Sequence, residues 1–417
     1  MLSRRAVLSL LPAAAVAQTR RRYPKDETAG FTTDRKISYW QQRLTADPKD
    51  LNAALKLSAA FLQKTRETAD FSYVDKAASL VDRVFTASPD NYEALRLRLQ
   101  VAMNHHRFPK AVDYAEALLD RNPGDSGVTG LLGDALMEMG HYDDAERAYK
   151  RLMDLRADLY SYNRVAWHRF VTGKADEALA WMSKAVESGS PEPENEAWCL
   201  VEFGDLLFKT GKTPAARQSY ERALAKFPAY HRANGALGHL TACEGDQAAA
   251  IVHYKKAQTA VPFPEYAAAL DHLHRAAGNL READRQRAQV DLIDKLGQAS
   301  GEKANRTLAL IFANGNRKLD RAYELAKGEF EIRGSVYDHD ALGWVLHKMG
   351  KLEAALESSQ KATALNTPEP SLHFHAGMIA KAAGKTEAKA LLAQALALNP
   401  RFDWIDAPEA KRALAAL

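Results

Sequence analysis

The sequence predicts an all-α protein, a right-handed solenoid of antiparallel helical hairpins. Three observations lead to this prediction. A small residue recurs about every 34 positions, turn glycines keep step with it, and prolines repeatedly close the unit. One hairpin cannot bury its apolar face alone, so each unit requires neighbours on both sides.

The stretch from Trp198 to Pro228 shows the unit in full. Gly204 and Ala216 are small where two antiparallel helices must approach closely. Tyr220 is large where a side chain of the second helix must pack against the first. Gly211 marks the turn between the helices, and Pro228 stops the second helix.

The position equivalent to Ala216 can be followed along most of the chain. Its successive gaps are 34, 34, 33, 38, 34, 33, 39, 33 and 33 residues, and its members are Ala77, Ala111, Ala145, Ala178, Ala216, Ala250, Ala283, Ala322, Ala355 and Ala388. The positions that we expect to hold the repeat together are Gly133, Ala145, Gly204, Ala216, Tyr220, Pro228, Gly238, Ala250, Gly343 and Ala355.

This Leu-Gly, Ala, Tyr, Ala and Pro pattern with a period near 34 resembles the tetratricopeptide repeat. The resemblance covers residues 51–402, about ten repeats. It implies a superhelix whose concave surface is built by the first helix of each unit.

Several segments depart from the regular repeat. Longer connections are expected near residues 189–195 and 297–306, and the unit around Ala322 reads either as a hairpin or as a spacer. We expect residues 33–50 to form an N-terminal capping helix. Residues 403–417, with a helix from Pro408 to Leu417, are expected to cap the other end.

The N-terminus has the composition of an export signal. Arg4 and Arg5 precede an apolar run, and Ala15-Val16-Ala17 suits signal peptidase. We therefore expect residues 1–17 to be a cleaved signal peptide, residues 18–32 to be a flexible lead-in, and the bacterial protein to be periplasmic or secreted. The general secretory route and the twin-arginine route both remain open.

Charge and cysteine content restrict the function further. The 417-residue chain carries a formal charge of +4, which becomes +2 once Arg4 and Arg5 leave (4 − 2). A chain so close to neutral is not expected to bind nucleic acid. Cys199 and Cys243 lie at different heights in adjacent units, so we expect no disulfide. No segment of the mature chain is expected to cross a membrane.

The sequence predicts neither an enzyme nor a cofactor or metal site. It contains no phosphate-binding loop and no paired-cysteine motif. His272 and His274, like His373 and His375, are two residues apart, which on a helix directs the two rings to opposite sides.

The predicted functional surface is the concave groove. Aromatic and polar side chains converging there suit a peptide ligand. The candidate groove residues are Tyr160, Asn163, Trp167, Phe170, Trp198, Asp205, Phe208, His239, Trp344 and His347.

Three functions remain open at this point. The first is an exported, non-enzymatic scaffold that binds a protein or peptide segment in the groove. The second is an accessory or carrier protein for a cell-envelope polymer, whose sugar rings would stack on the aromatics. The third is an unrecognised enzyme. The sequence names no partner and does not fix the oligomeric state.

Overall fold

A computed structural model describes residues 27–417. The expected signal peptide and the first part of the lead-in, residues 18–26, lie outside the described residues. In the described part of the chain the structure is all-helical, which confirms the predicted fold class.

Twenty-two helices follow one another between residues 33 and 415. They are α1 (Thr33–Ala46), α2 (Leu51–Thr68), α3 (Ser72–Ala87), α4 (Tyr92–Asn104), α5 (Phe108–Arg121), α6 (Ser126–Glu138), α7 (Tyr142–Leu155), α8 (Leu159–Val171), α9 (Ala175–Ser188), α10 (Pro193–Lys209), α11 (Thr213–Lys226), α12 (His231–Glu244), α13 (Gln247–Ala260), α14 (Pro264–Ala276), α15 (Leu280–Ala299), α16 (Arg306–Asn314), α17 (Leu319–Ile332), α18 (Val336–Lys348), α19 (Leu352–Thr363), α20 (Pro370–Ala382), α21 (Ala388–Leu398) and α22 (Asp406–Ala415).

Consecutive helices from α2 to α21 pack as ten hairpins, with α1 and α22 at the two ends. The helix starts follow from local chemistry, since the side chains of Asp50, Asn91 and Asp125 each accept a hydrogen bond from a backbone N–H in the first turn. The unit around Ala322 is a hairpin of α16 and α17, although α16 has only 9 residues.

Close helix approach sets the hairpin geometry. A Cβ atom at Gly204 would lie 2.3 Å from Cε1 of Tyr220, so only glycine fits beneath this ring. The recurring alanines Ala145, Ala216, Ala250 and Ala355 are all fully buried. Each hairpin therefore locks through a small residue on one helix and a large one on the other.

Two boundaries differ from the sequence-based expectation. The C-terminal helix begins at Asp406 and ends at Ala415, because the side chain of Asp403 accepts hydrogen bonds from the N–H groups of Ile405 and Asp406 and turns the chain into the helix before Pro408. Helix α15 continues to Ala299, so the second long connection is limited to residues 300–305.

The superhelix returns on itself. Thr367 Oγ1 donates to the carbonyl of Val171 at 2.6 Å, across 196 positions, and Asn399 Nδ2 donates to the carbonyl of Phe208 at 2.7 Å, across 191 positions. The backbone N–H of Val336 donates to the Tyr142 hydroxyl at 3.0 Å, across 194 positions. One superhelical turn thus takes between five and six repeats, and we call the line of contact between its ends the seam.

The seam encloses the concave surface. Residues 369–371 and 402–406 line one cavity on this surface together with α10, α12 and α14, and a neighbouring cavity is lined by helices between α2 and α12. The concave surface is thus divided into adjoining, partly open cavities.

Candidate functional site

One space on the concave surface is a cavity of about 810 Å³, which we call the tryptophan cavity. Helices α8 and α10 direct Tyr160, Asn163, Trp167 and Trp198 into it. These four side chains come from two adjacent repeats, as the repeat register predicts.

The two tryptophans are held by neighbouring rings and cations. Trp167 stacks on Tyr337 across the seam, with ring centroids 5.9 Å apart and planes 11° from parallel. The guanidinium of Arg232 lies 5.8 Å from the Trp198 ring centroid. Both indoles are partly buried, so each presents part of its surface to the cavity.

Charges in this cavity occur as compensated pairs. Arg164 binds the Asp134 carboxylate with contacts of 2.7 and 2.9 Å, and the Tyr149 hydroxyl donates to the same carboxylate at 2.9 Å. Arg232 pairs with Glu202 at 2.6 Å. Each of these charges has a partner, whereas Asp205, which also lines this cavity, has only the Tyr220 hydroxyl.

One buried amide in the wall is incompletely bonded. Asn195 is 7% exposed and donates through Nδ2 to the Tyr160 hydroxyl at 2.8 Å. Its Oδ1 has no hydrogen-bond partner among the described residues. This oxygen is buried, so it does not face a ligand in the cavity.

A second space of about 460 Å³, which we call the acidic cavity, adjoins the first and shares Asp205, Lys209 and Arg232 with it. Asp205, Glu265, Glu369, Asp403 and Asp406 all line it. A third space of about 320 Å³ continues from the acidic cavity towards Trp344.

Titration in the acidic cavity is strongly perturbed. Burial, together with the charge of Glu202, raises the pKa of Asp205 to about 6. Burial and the neighbouring Asp403 raise the pKa of Asp406 to about 7. Against the effect of burial, Cys243, Asp403 and the Phe402 carbonyl raise the pKa of His239 to about 10, so this imidazole is a cation at neutral pH.

The structure divides the predicted groove residues among several places. Tyr160, Asn163, Trp167 and Trp198 line the tryptophan cavity, Asp205 lines both main cavities, and Phe208 and His239 line the acidic cavity. Trp344 reaches only the third cavity, and it is 2% exposed with its indole Nε1 bonded to Asn314 Oδ1 at 2.7 Å.

One of the predicted groove positions requires correction. Phe170 is fully buried against the small residues of the next helix and lines none of these cavities. His347 also lines none of them, and its ring packs 5.1 Å from that of Trp344. Phe170 therefore fills space between helices, whereas His347 is partly exposed and its place in the groove stays a prediction.

Other cavity residues escaped the sequence analysis. Glu369, Asp403 and Asp406 approach Asp205 only through the seam, for which the repeat pattern carries no signal. Asn195 was assigned to a long connection but lies in the first turn of α10. The repeat register carries no signal for it, because the gap of 38 residues between Ala178 and Ala216 places Val201, not Asn195, one repeat after Asn163.

Two searches of residues 27–417 bear on chemistry and location. These residues contain no cluster of three or more His, Cys, Asp or Glu side chains that could hold a metal ion. They also contain no helix long and apolar enough to cross a bilayer. Cys199 and Cys243 are both free.

Comparisons with known proteins agree with the repeat pattern. Models of the tetratricopeptide repeat match residues 102–162, residues 69–126 and 201–263, and residues 339–367. No curated protein matches the chain in sequence.

Similar solved structures include PilW, described as a widely conserved type IV pilus biogenesis factor, with 19% identity, 48% of this chain and 92% of that chain covered, and a TM-score of 0.41. A tetratricopeptide repeat protein from Parabacteroides merdae ATCC 43184 has 14% identity, 55% and 87% coverage, and a TM-score of 0.42. The MamA protein has 19% identity, 39% and 87% coverage, and a TM-score of 0.31. On its repeat matches and its helical architecture, the chain is a tetratricopeptide repeat protein.

Proposed function

We propose that this protein is a non-enzymatic scaffold that binds a segment of a partner protein in the tryptophan cavity. Tetratricopeptide repeats serve as scaffolds for protein–protein interaction. The observation that carries the proposal is the convergence of Trp167 and Trp198 in one cavity whose charged groups, apart from Asp205, are already paired.

The cavity chemistry indicates what part of a partner it would hold. Partly exposed indoles offer a large apolar area at low entropic cost. Apart from Asp205, the charges of this wall are paired and offer no counter-charge to a charged group. An uncharged peptide stretch with a bulky apolar side chain meets these conditions, whereas a nucleic acid does not.

Affinity capture from the source cells tests the proposal. The bait proteins are the wild type, the Trp167→Ala/Trp198→Ala variant, and Trp181→Ala as a matched control. Trp181 packs on Tyr162, with ring centroids 5.6 Å apart, and lines neither main cavity. We expect a protein retained by the wild type and the control but lost from the double variant, with circular dichroism unchanged.

Two results would count against this function. Equal retention by all three baits would remove the tryptophan cavity from the interaction. Quenching of tryptophan fluorescence by cell-envelope oligosaccharides, without any retained protein, would favour the accessory role in polymer handling.

We also propose that the protein is exported. Arg4, Arg5 and the apolar run ending at Ala17 support this proposal. N-terminal sequencing of the protein from its source cells should begin at Gln18, and an intact Met1 would contradict export through cleavage at Ala17.

A further inference from the structure

The acidic cavity differs from an ordinary acidic surface because it is an interior space walled by aromatic rings. Phe208, Tyr254, Phe263 and Tyr266 line it, and Tyr254 and Tyr266 are 5% and 6% exposed. Their ring centroids lie 6.3 Å apart. Ring faces attract cations, more strongly where water is excluded.

The cations resident in this wall are already engaged. Lys209 Nζ binds Glu369 at 2.7 Å, and Arg232 binds Glu202 at 2.6 Å. The protonated His239 donates to the Phe402 carbonyl at 2.9 Å and lies 3.9 Å from Asp403. His231 stays neutral, since burial lowers its pKa to about 4.

Three carboxylates in the wall are left without an ion pair among the described residues: Asp205, Glu265 and Asp406. Asp205 accepts only the Tyr220 hydroxyl, at 2.7 Å. Glu265 and Asp406 lie in the first turns of α14 and α22, where the helix dipole offsets part of their charge but no Lys, Arg or His side chain pairs with them.

These carboxylates come from three separate helices and meet only because the superhelix closes. Asp205 belongs to α10, Glu265 to α14 and Asp406 to α22. Buried like charges without a counter-charge are unfavourable, and burial raises the pKa of Glu265 as it does those of the other two. A ligand cation in the cavity that all three line would favour their charged forms.

We propose that the acidic cavity binds the cationic side chain, lysine or arginine, of the partner segment whose apolar part occupies the tryptophan cavity. This inference rests on the proposed function, because the two cavities are joined at Asp205, Lys209 and Arg232. The protein then recognises an apolar residue and a basic residue in one extended segment of the partner. The charge of the acidic cavity supplies the specificity that the compensated tryptophan cavity lacks.

A random peptide display library tests this inference. The full chain is used in four forms: the wild type, Glu265→Gln/Asp406→Asn, Trp167→Ala/Trp198→Ala, and Asp320→Asn/Glu353→Gln. The last variant removes the same two charges from exposed positions outside these cavities. Neither carboxylate has an ion-pair partner to lose among the described residues, so we expect the fold to stay intact, which circular dichroism verifies.

Peptides selected on the wild type should be enriched in Lys or Arg near an aromatic or large aliphatic residue. Their affinity should fall at least about tenfold, equivalent to about 1.4 kcal/mol, when the basic residue is replaced by norleucine. The Glu265→Gln/Asp406→Asn variant should show the same loss, and the exposed control variant none.

A second probe separates this inference from the proposed function. Butylammonium chloride, a mimic of the lysine side chain, should raise the Tm of the wild type more than sodium chloride at equal ionic strength, and should not do so for Glu265→Gln/Asp406→Asn. A butylammonium effect without selected peptides would support the cation site and contradict the peptide scaffold.

The opposite pattern would overturn the cation site alone. The selected peptides could require Trp167 and Trp198 but show no enrichment in Lys or Arg, and both salts could shift the Tm equally. These two results together would reject the cation site and support the peptide scaffold. Equal loss of affinity in the exposed control variant would attribute the effect to net charge and would also reject the cation site.

Discussion

The tryptophan cavity and the acidic cavity are built from the same repeat positions yet differ in charge balance. In both, the residue after the packing glycine faces the interior and meets a tyrosine from the second helix: Asp134 meets Tyr149 at 2.9 Å, and Asp205 meets Tyr220 at 2.7 Å. Asp134 also has Arg164, whereas Asp205 has no arginine or lysine bound to it.

The seam explains the difference. Opposite the tryptophan cavity it contributes Tyr337, which stacks on Trp167, and Arg333, which pairs with Glu138. Opposite the acidic cavity it contributes Glu369, Asp403 and Asp406. Equivalent repeat positions thus differ in binding properties because different segments lie opposite them across the seam.

The largest expected effect comes from the helix packing beneath Tyr220, which lines the acidic cavity. Gly204→Leu would drive a side chain into the Tyr220 ring, and we expect a loss of about 3 kcal/mol in the free energy of unfolding. Urea denaturation measures it. Gly124→Ala, where the nearest neighbour would be 3.6 Å away, is the control and should change stability by less than about 0.5 kcal/mol. A tolerated Gly204→Leu would contradict the repeat register.

The next effect concerns the compensated pair of the tryptophan cavity. Arg164→Met leaves the Asp134 carboxylate with only the Tyr149 hydroxyl, and we expect a loss of about 2 kcal/mol. Arg147→Met breaks a pair with Asp144 that lies on the exposed surface, and should cost less than about 0.5 kcal/mol. Equal costs in urea denaturation would show that the cavity pair is no stronger than a surface pair.

A pH-dependent effect is also expected in the acidic cavity. The folded pKa of Asp406 is about 7 against an ordinary 3.8, so the folded state holds a proton that the unfolded state releases. The contribution of Asp406 to the free energy of unfolding of the wild type therefore falls as pH rises from about 4 to about 7.

Asp406→Asn should remove that component, so the unfolding free energy of the variant relative to the wild type should rise across the same interval. The charged groups facing Asp406 are Asp403, Glu409, His375 and Lys348, which both proteins retain. Urea denaturation at several pH values measures the difference. A flat or falling difference would show that Asp406 already has a counter-charge.

The smallest effects are expected along the seam. The Tyr337 hydroxyl is buried with no partner among the described residues, so Tyr337→Phe should change stability by less than about 0.5 kcal/mol or raise it slightly. The Tyr142 hydroxyl accepts the N–H of Val336, and Tyr142→Phe should cost about 1 kcal/mol. Thermal unfolding of the two variants measures this difference. A lower Tm for Tyr337→Phe than for Tyr142→Phe would contradict the seam geometry.

The sequence predicted what depends on local spacing. The recurring alanines and the glycine beneath Tyr220 predicted the hairpins, and the same register predicted that Tyr160, Trp167 and Trp198 share a surface. The repeat match and the all-helical structure confirm the fold.

The sequence could not predict what depends on closure. Asp205 and Asp406 are 201 positions apart, and nothing local to either indicates that they line one cavity (406 − 205). The repeat register also placed Phe170 in the groove, although this side chain is fully buried. A small rotation of α8 is enough to move a position from the concave surface into the core between helices.

The most direct test is a distance measurement across the seam. Spin labels at Lys174 and Ala364, in a Cys199→Ala/Cys243→Ala background, flank Gly173 and Leu365, where a Cβ on the glycine would lie 2.7 Å from the Leu365 carbonyl. Each labelled residue is one Cα step of about 3.8 Å from that contact. Closure therefore predicts one narrow, short distance by electron paramagnetic resonance, below roughly 25 Å with the labels included. A broad distribution beyond roughly 35 Å would show an open superhelix and contradict the enclosed cavities.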